Sequence, residues 1–328
     1  STTVYGDNTS TSGGSDSIVV TSGTNNISAS QVIAGVGNDS VSVTAAQLIN
    51  TTVAGNGGND MITVTGSLIT STVFGGAGND SLSFSGTGIS GGVIYADLGN
   101  DSIAGTVNSA TVYGDNASGG GNDVINLTAT SVYADGSVGD DTFNGLWSSS
   151  TLYGGAGNDT VFLTAATTSR IYLDSGSDFF SGSDTIFTGN TISGGDGNDT
   201  ISLAANASTI VGGSGNDSIL FNNSNAGLTA SATNQTALGT YFFGFGSGSD
   251  SINFTSTNTV ASAGGLNLVI AVDSAFGNTG SFSGAGASVG TLTLGSQTIL
   301  FTSGETFSAT NTNLTFTTVS SSTITSLG

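Results

Sequence analysis

The 328-residue sequence contains no histidine, no cysteine and no proline, and Arg170 is its single basic residue. Without histidine or cysteine, the chain cannot form a Ser-His-Asp triad, a cysteine nucleophile or a zinc site of the usual nitrogen and sulfur type. One basic residue cannot hold a nucleic-acid backbone, which requires many lysine and arginine contacts. We therefore expect a protein that is not an enzyme and that binds no nucleic acid.

Long apolar runs are also missing. No stretch reaches the roughly 18 apolar residues that suggest a transmembrane helix, and a formal net charge of −21 makes a poor partner for anionic lipid. We therefore expect no membrane insertion. The first residues, STTVYGD, lack a charged and apolar leader, so we expect a mature form, a fragment or export by another route. The absence of cysteine is compatible with an extracellular location.

A glycine-rich repeat is what the first two thirds of the chain do contain. Its clearest copies read GGAGNDSLS at 75–83, GGAGNDTVF at 154–162, GGDGNDTIS at 194–202 and GGSGNDSIL at 212–220. Looser copies keep the same aspartate, which recurs about every twenty residues. A doubled or slipped copy contains two candidates, Asp178 and Asp184. The other repeated aspartates are Asp16, Asp39, Asp60, Asp80, Asp101, Asp123, Asp141, Asp159, Asp199, Asp217 and Asp250.

Each repeat is consistent with two strands and two turns. The first strand is short and has one apolar residue before a Tyr or Phe, as in TVFGG and VIYAD. The second strand begins at the aspartate and alternates, as at Leu82 and Phe84, which is typical of a half-buried strand. The second turn is polar and lacks the glycine motif, as at 44–50, 164–169 and 204–208. The predicted inward residues of the first strand are Val73, Ile94, Val112, Val132, Leu152, Ile171, Ile192 and Ile210.

Short strands of this kind cannot bury their apolar side alone, so successive coils must stack. We predict an all-β fold: a right-handed parallel β-solenoid of about ten to twelve coils over residues 1–221. Residues 222–328 are predicted to form a β-rich C-terminal cap or an assembly region, with a last outlying motif at 245–254, because an open solenoid end needs a cap. Candidate strands in this region are 266–272, 290–295, 297–302 and 313–319.

The run GGxGxDxUx, where U is a large apolar residue, resembles the calcium-binding nonapeptide of the RTX (repeats-in-toxin) family. This resemblance implies a β-roll in which Ca²⁺ sits between the turns of adjacent coils. The ligands would be the aspartate carboxylate and the backbone carbonyls of motif positions one, three and five. The repeated aspartates above would supply the carboxylates. The implied carbonyls are those of Gly75, Ala77, Asn79, Gly154, Ala156, Asn158, Gly194, Asp196, Asn198, Gly212, Ser214 and Asn216.

Because the motif occupies one corner of each coil, we expect one row of about ten Ca²⁺ ions, whose hard oxygen ligands glycine turns and aspartates can supply. Stacked carboxylates repel one another, so we predict a chain that is loose without calcium and folds when it binds calcium. Five further aspartates follow first-strand ends and are predicted to lie at the mouths of the same turns: Asp7, Asp97, Asp115, Asp135 and Asp174.

Most tyrosines fall in the first strand, one residue after the predicted inward residue. We expect an outward stripe, either a stacked surface ladder or a contact for a neighbouring subunit or a cell-surface glycan. Its members are Tyr5, Phe74, Tyr95, Tyr113, Tyr133, Tyr153 and Tyr172. Trp147 is predicted to pack in a turn.

These features favour a secreted calcium-binding structural protein of a bacterial surface layer, extracellular fibre or matrix, located outside the cell or on its surface. It would self-associate, and the RTX resemblance implies export with an uncleaved C-terminal signal. The alternative is a calcium-binding repeat module of a larger adhesin, toxin or secreted enzyme. A polysaccharide lyase that uses Arg170 with Asp174 and Asp178 is a less favoured hypothesis, because a single arginine provides no basic cluster to bind an anionic sugar.

Overall fold

The computed structural model describes residues 2–7, 13–116, 119–182, 187–203 and 209–222, together with the strands named below between 240 and 319. The chain divides into two compact units, residues 1–157 and 158–328. Every named element is a β-strand, which confirms the predicted all-β class. Within these residues, no helix has the length and apolar character to cross a lipid bilayer.

The first unit consists of two parallel sheets between which the chain alternates. The first sheet contains β1 (Thr3–Tyr5), β4 (Gln31–Val36), β6 (Thr52–Gly57), β8 (Thr72–Ala77), β10 (Val93–Leu98), β12 (Thr111–Tyr113), β14 (Tyr133–Asp135) and β16 (Thr151–Ala156). The second contains β2 (Ser17–Thr21), β3 (Ile27–Ser28), β5 (Ser40–Ile49), β7 (Met61–Ile69), β9 (Ser81–Ser90), β11 (Ser102–Asn108), β13 (Val124–Thr130) and β15 (Thr142–Ser148).

The second unit repeats this alternation. One sheet contains β18 (Arg170–Ser175), β21 (Thr191–Asp196), β23 (Thr209–Ser214), β25 (Thr240–Phe245), β27 (Leu266–Asp273) and β31 (Thr312–Val319). The other contains β17 (Thr160–Thr167), β19 (Phe179–Gly182), β20 (Phe187–Thr188), β22 (Thr200–Leu203), β24 (Ser218–Asn222), β26 (Ser251–Thr255) and β30 (Gln297–Thr302). Two further strands, β28 (Gly280–Ser283) and β29 (Gly290–Leu294), pair antiparallel with each other, and β29 also pairs antiparallel with β30.

Parallel pairing between successive coils confirms the predicted β-solenoid, and it stacks apolar side chains in register inside each unit. Val53, Val73 and Ile94 follow one another in the first sheet and are fully buried. In the second sheet, Leu82, Ile103 and Ile125 lie in register on successive strands and are also buried. Burial of a Val, Leu or Ile side chain contributes about 1.5–3 kcal/mol, so the repeated stack can stabilise coils that are individually too short to fold.

Aromatic side chains fill the core where the second sheet contains glycine. Gly145 lies beside Leu127 in register, and Phe143 and Trp147 pack edge to face with ring centroids 6.3 Å apart. Trp147 is 2% exposed and its Nε1–H donates to the carbonyl of Asn144 at 3.3 Å. Trp147 therefore packs inside the solenoid, and its ring is not a surface platform for a sugar.

The first strand of one coil departs from the prediction by two residues. Tyr133 lies in register with Thr111 and Thr151, so Ala134 takes the inward position next to Val112. Val132, which the sequence placed in this inward row, instead lies at the corner before the strand, where it is buried. The prediction for Val132 was wrong because the coil has an alanine where its neighbours have a larger apolar residue.

The second corner of each coil differs from the predicted polar turn. Residues 44–49 and 164–167 belong to β5 and β17, so the second strand is longer than the sequence suggested; 204–208 lie outside the described residues. The corner itself is one residue of left-handed conformation, such as Asn50 at φ 49°. The next residue is buried; it is polar at Thr51 and Ser71 and apolar at Ala110 and Val132. Ser71 is typical: its hydroxyl donates to the carbonyl of Leu48 at 2.8 Å and accepts the N–H of Thr51 at 3.0 Å.

Strands occupy the predicted positions in the C-terminal region. The candidates at 266–272, 290–295, 297–302 and 313–319 correspond to β27, β29, β30 and β31. Parallel pairing passes from β24 to β26 and from β23 to β25, so the solenoid ladder extends beyond residue 222. The predicted domain boundary at 221/222 and the role of the region as a cap remain predictions.

Candidate metal centre

The repeated motif forms the first corner of each coil, between a first-sheet strand and the following second-sheet strand. We number its positions from one to six. In the clearest copy, position one is Gly75 and position six is Asp80. Position four is always glycine in the described corners. At Gly78 φ is 131°, and a β-carbon there would overlap the carbonyl oxygen of Gly58, which is position four of the preceding coil. Only glycine satisfies both conditions.

The position-six aspartates stack through the corners in a ladder. The backbone N–H of Asp60 donates to Oδ1 of Asp80 at 2.7 Å, and the N–H of Asp80 donates to Oδ1 of Asp101 at 2.7 Å. This ladder links Asp16, Asp39, Asp60, Asp80, Asp101, Asp123 and Asp141 in the first unit, and Asp159, Asp178, Asp199 and Asp217 in the second. The structure thus brings the predicted row into register, with Asp178 as a full member. Asp184 and Asp250 lie outside the described residues.

A second ladder lies beside it at position five, and sequence reasoning missed it. The N–H of Asn79 donates to the side-chain oxygen of Asn59 at 2.8 Å, and the N–H of Asn100 donates to that of Asn79 at 3.0 Å. These amide side chains fix the spacing of neighbouring corners from the solvent side. The recurrence of Asn immediately before the aspartate was the available signal.

The other carboxylate oxygen of the aspartate ladder points inward. Within the described residues, a buried Oδ2 without a hydrogen-bond partner occurs at Asp16, Asp39, Asp60, Asp80, Asp101, Asp123, Asp178 and Asp199. Desolvating a charged oxygen without a partner costs several kcal/mol. These oxygens therefore need either a proton or a cation.

The surroundings of this Oδ2 atom can be described by the place where a β-carbon would lie at position one. A β-carbon built on Gly75 would lie 2.5 Å from Asp80 Oδ2 and 2.5 Å from the carbonyl oxygen of Ala96 in the next coil. Gly6 has the same relation to Asp16 Oδ2 and the carbonyl of Ala34, again at 2.5 Å each. We call this space the position-one cradle. It is bordered by one carboxylate oxygen and one carbonyl oxygen, which approach the backbone this closely only because glycine has no side chain.

Burial raises the pKa of six ladder carboxyls in particular. The hydrogen bond at Oδ1 opposes the increase, and neighbouring carboxylates reinforce it. The pKa rises from 3.8 to about 6 for Asp60 and Asp199, and to about 7 for Asp80, Asp101, Asp123 and Asp178. A cation beside Oδ2 would favour the ionised form and reverse this shift.

The donor set fits a hard cation such as Ca²⁺, which binds six to eight oxygens in a flexible arrangement. In the described parts of the chain no three acidic side chains converge as a metal-holding group. An ion at a corner would therefore combine one or two aspartates with backbone carbonyls. Ca²⁺ would supply the positive charge that a chain with 22 acidic residues and one basic residue lacks.

The predicted carbonyl ligands fall into different surroundings. At position one, the carbonyls of Gly75, Gly154 and Gly212 border the cradles of Gly55, Gly136 and Gly194, respectively. Position-three carbonyls already accept an N–H from position four of the preceding coil, as Ala77 does from Gly58 at 2.7 Å, so each has one lone pair left. Position-three carbonyls with this bond are Ala77, Ala156, Asp196 and Ser214. The position-five residues Asn79, Asn158, Asn198 and Asn216 belong to the polar ladder. Their ligand role remains a prediction.

Four of the five further aspartates, Asp7, Asp97, Asp115 and Asp174, occupy position two. The fifth, Asp135, does not, because the shifted strand places it in register with Tyr113 and Tyr153. Its carboxylate accepts the N–H of Ser137 at 3.0 Å and the hydroxyl of Tyr133 at 3.2 Å. The predicted position of Asp135 at a turn mouth is wrong.

Aromatic rings form a ladder on the outer face of the first sheet. Phe74 and Tyr95 stack with centroids 5.3 Å apart, and Tyr95 and Tyr113 with centroids 5.0 Å apart. Tyr133 reaches into the row despite its shift, tilted between Tyr113 and Tyr153 at 5.9 and 5.4 Å. The predicted surface ladder is therefore present from Phe74 to Tyr153, whereas Tyr5 lies in register with Ile33 and Tyr172 with Ser193. Contact with a subunit or glycan remains a prediction.

Comparison with known proteins agrees with this geometry. The family model described as the RTX calcium-binding nonapeptide repeat (4 copies) matches residues 71–85, 118–152, 135–165, 180–207 and 187–219. No curated protein matches the chain. The matched segments contain part of the aspartate ladder, namely Asp80, Asp123, Asp141, Asp159, Asp199 and Asp217. The chain therefore contains RTX-type calcium-binding nonapeptide repeats, and its β-solenoid is consistent with a fold of the β-roll type.

Proposed function

We propose that this protein is a secreted structural protein that folds and self-associates on meeting extracellular Ca²⁺, as a component of a bacterial surface layer, fibre or matrix. The observation that carries the proposal is the aspartate ladder, in which buried Oδ2 atoms such as those of Asp80, Asp101 and Asp123 lack a hydrogen-bond partner among the described residues. Calcium is scarce inside cells and plentiful outside, so such a chain would stay loose until export and then fold.

The composition supports a structural role over a catalytic one. The chain has no histidine or cysteine, and Arg170 is exposed at the first residue of β18. A lyase that acts on anionic sugars would need a cluster of basic groups around its substrate. In this proposal the protein therefore has no enzymatic activity, and an assay on pectin-like and alginate-like polymers should show no cleavage.

Circular dichroism of the full chain, stripped of metal and then titrated with Ca²⁺, tests the folding step. We expect a β signal to appear with calcium and to vanish with a chelator, because the carboxylates repel one another without the ion. An unchanged β signal in chelator would contradict the proposal.

Electron microscopy of the same samples tests the assembly step. Ordered filaments or sheets that form with calcium would support a layer or fibre. Monodisperse particles at every calcium concentration would contradict self-association and would favour a repeat module of a larger adhesin, toxin or secreted enzyme.

A further inference from the structure

Two corners of the solenoid differ from all the others in sequence. The hexapeptide TVYGDN occurs at 3–8 and again at 111–116, and in both copies extra residues separate it from the position-six aspartate. Each copy combines glycine at position one with aspartate at position two. Elsewhere in the described corners, a position-two aspartate follows a larger residue: Asp97 follows Ala96, and Asp174 follows Leu173.

In the second TVYGDN corner, the position-two carboxylate is held in place with one oxygen unused. Asp115 is 2% exposed, and its Oδ2 accepts the N–H of Gly121 at 3.0 Å. The backbone of Val138 also interacts with this carboxylate, whose Oδ1 is buried and has no hydrogen-bond partner among the described residues. The unused oxygen is therefore a fixed anionic donor at a buried position, and no basic residue lies nearby in sequence to neutralise it.

The position-one cradle of this corner is at Gly114, which immediately precedes Asp115 in the chain. A β-carbon on Gly114 would contact Asp123 Oδ2 and would lie 2.7 Å from the carbonyl oxygen of Gly136. Asp123 Oδ2 is itself buried and without a partner. This corner thus has an unused oxygen on each of two carboxylates that interact electrostatically, whereas position two is Gly76 in the corner of Gly75 and Asp80.

The first copy shares the two unused oxygens and the position-one glycine, although Asp7 and Asp16 are half-buried as residues. Asp7 Oδ2 and Asp16 Oδ2 are both buried without a partner, and Gly6 leaves the cradle open. In the corner of Asp97, by contrast, Ala96 is fully buried and its methyl group occupies the position that is empty at Gly6 and Gly114. Asp97 Oδ1 there accepts the side-chain amide of Asn116 at 3.2 Å instead.

We propose that these two YGD corners form a distinct class of calcium site, with two carboxylates per ion, that binds Ca²⁺ more tightly than the other corners and fills first. The inference rests on calcium binding by the repeats, and it assigns an order to that binding. Calcium affinity increases with the number of charged ligands, and no opposing charge has to be displaced. If these two corners bind Ca²⁺ first, the coils that contain them would become ordered before the neighbouring coils bind Ca²⁺.

Isothermal titration of the metal-free full chain with Ca²⁺ tests this order. We expect a tight class of two sites, at least about tenfold stronger than the rest. Gly114→Ala converts YGD into the YAD sequence that the chain already folds at Ala96, and it should reduce the tight class to one site. Asp115→Asn should have the same effect and leave the weaker class in place.

The reverse substitution is the decisive control. Ala96→Gly opens the cradle next to Asp97 and should raise the tight class to three sites, a gain that misfolding cannot produce. A single class of equivalent sites, or an unchanged tight class in both Gly114→Ala and Ala96→Gly, would overturn the proposal while leaving calcium binding intact. Absence of any calcium binding would overturn this proposal and the proposed function together.

Discussion

Glycine at position four and the left-handed residue at the second corner fix the two bends of each coil. Position four requires glycine because successive corners approach so closely that a β-carbon would overlap the carbonyl oxygen of the coil before it. The second corner tolerates side chains, since its φ is close to 50° at Asn50, Thr70 and Ser109, where small polar residues are accepted. The two corners thus tolerate different residues for steric reasons.

Gly78→Ala should therefore destabilise the folded chain more than a nearby glycine substitution. Its φ of 131° is strained for any residue with a side chain, and the new methyl group would overlap the Gly58 carbonyl. We expect the free energy of unfolding of the calcium-loaded chain to fall by about 2–4 kcal/mol, measured by denaturant titration. Gly57→Ala is the matched control, because a β-carbon there meets no atom within 4 Å. Equal losses in both variants would contradict the steric argument.

The aspartate ladder acts as one element, because each carboxylate raises the cost of ionising its neighbours. In the metal-free chain the folded pKa of Asp80, Asp101 and Asp123 is about 7, above the unfolded value of 3.8. The folded state therefore holds more protons than the unfolded state between these values, so its stability decreases as pH rises.

We predict that the metal-free chain is most stable near pH 4 and loses stability up to about pH 7, where the loss levels off. The calcium-loaded chain should show the opposite trend, because Ca²⁺ binds the ionised carboxylates and acid displaces it. Thermal unfolding of dialysed protein from pH 4 to 8, with and without Ca²⁺, measures both curves. Parallel curves would show that the buried carboxylates do not govern the calcium response.

The aromatic ladder is a second element whose contribution can be measured. Tyr95 stacks on Phe74 and Tyr113, within 5.0–5.3 Å and nearly parallel. Tyr95→Ala should lower the free energy of unfolding by about 1–3 kcal/mol, because two ring contacts are lost at about 0.5–1.5 kcal/mol each. Tyr5→Ala is the control, since Tyr5 is 55% exposed and lies in register with Ile33 instead of a ring. Similar losses in both would mean that stacking contributes little.

Sequence periodicity was sufficient for the strands and the motif row, because alternation and the spacing of aspartates are local signals. It failed where local signals conflict. Tyr133 follows an apolar residue as its neighbours do, yet the coil corner at Ser131 sets a register that makes Ala134 the inward residue. The difference between open and filled cradles was also missed, because the importance of glycine or alanine at position one appears only when Asp123 Oδ2 is seen beside Gly114.

Charge decides the behaviour of the whole molecule, since 22 acidic residues face one arginine and much of that charge is stacked at corners. Two effects of a cation can be separated here. Monovalent salt at 1 M shortens the Debye length to about 3 Å and screens exposed charges. Screening by monovalent salt does not provide a divalent ion that coordinates several buried oxygens, such as Asp101 Oδ2, at once.

We therefore predict that millimolar CaCl₂ folds the metal-free chain and that 1 M NaCl does not. MgCl₂ should be less effective than CaCl₂ at equal concentration, because Mg²⁺ demands octahedral geometry and retains its water. The far-ultraviolet circular dichroism signal, compared across the three salts, measures this. Equal recovery in NaCl would mean that relief of general repulsion is enough to fold the chain. The buried oxygens would then be protonated in the folded state, and the corners would act as turns instead of ion sites.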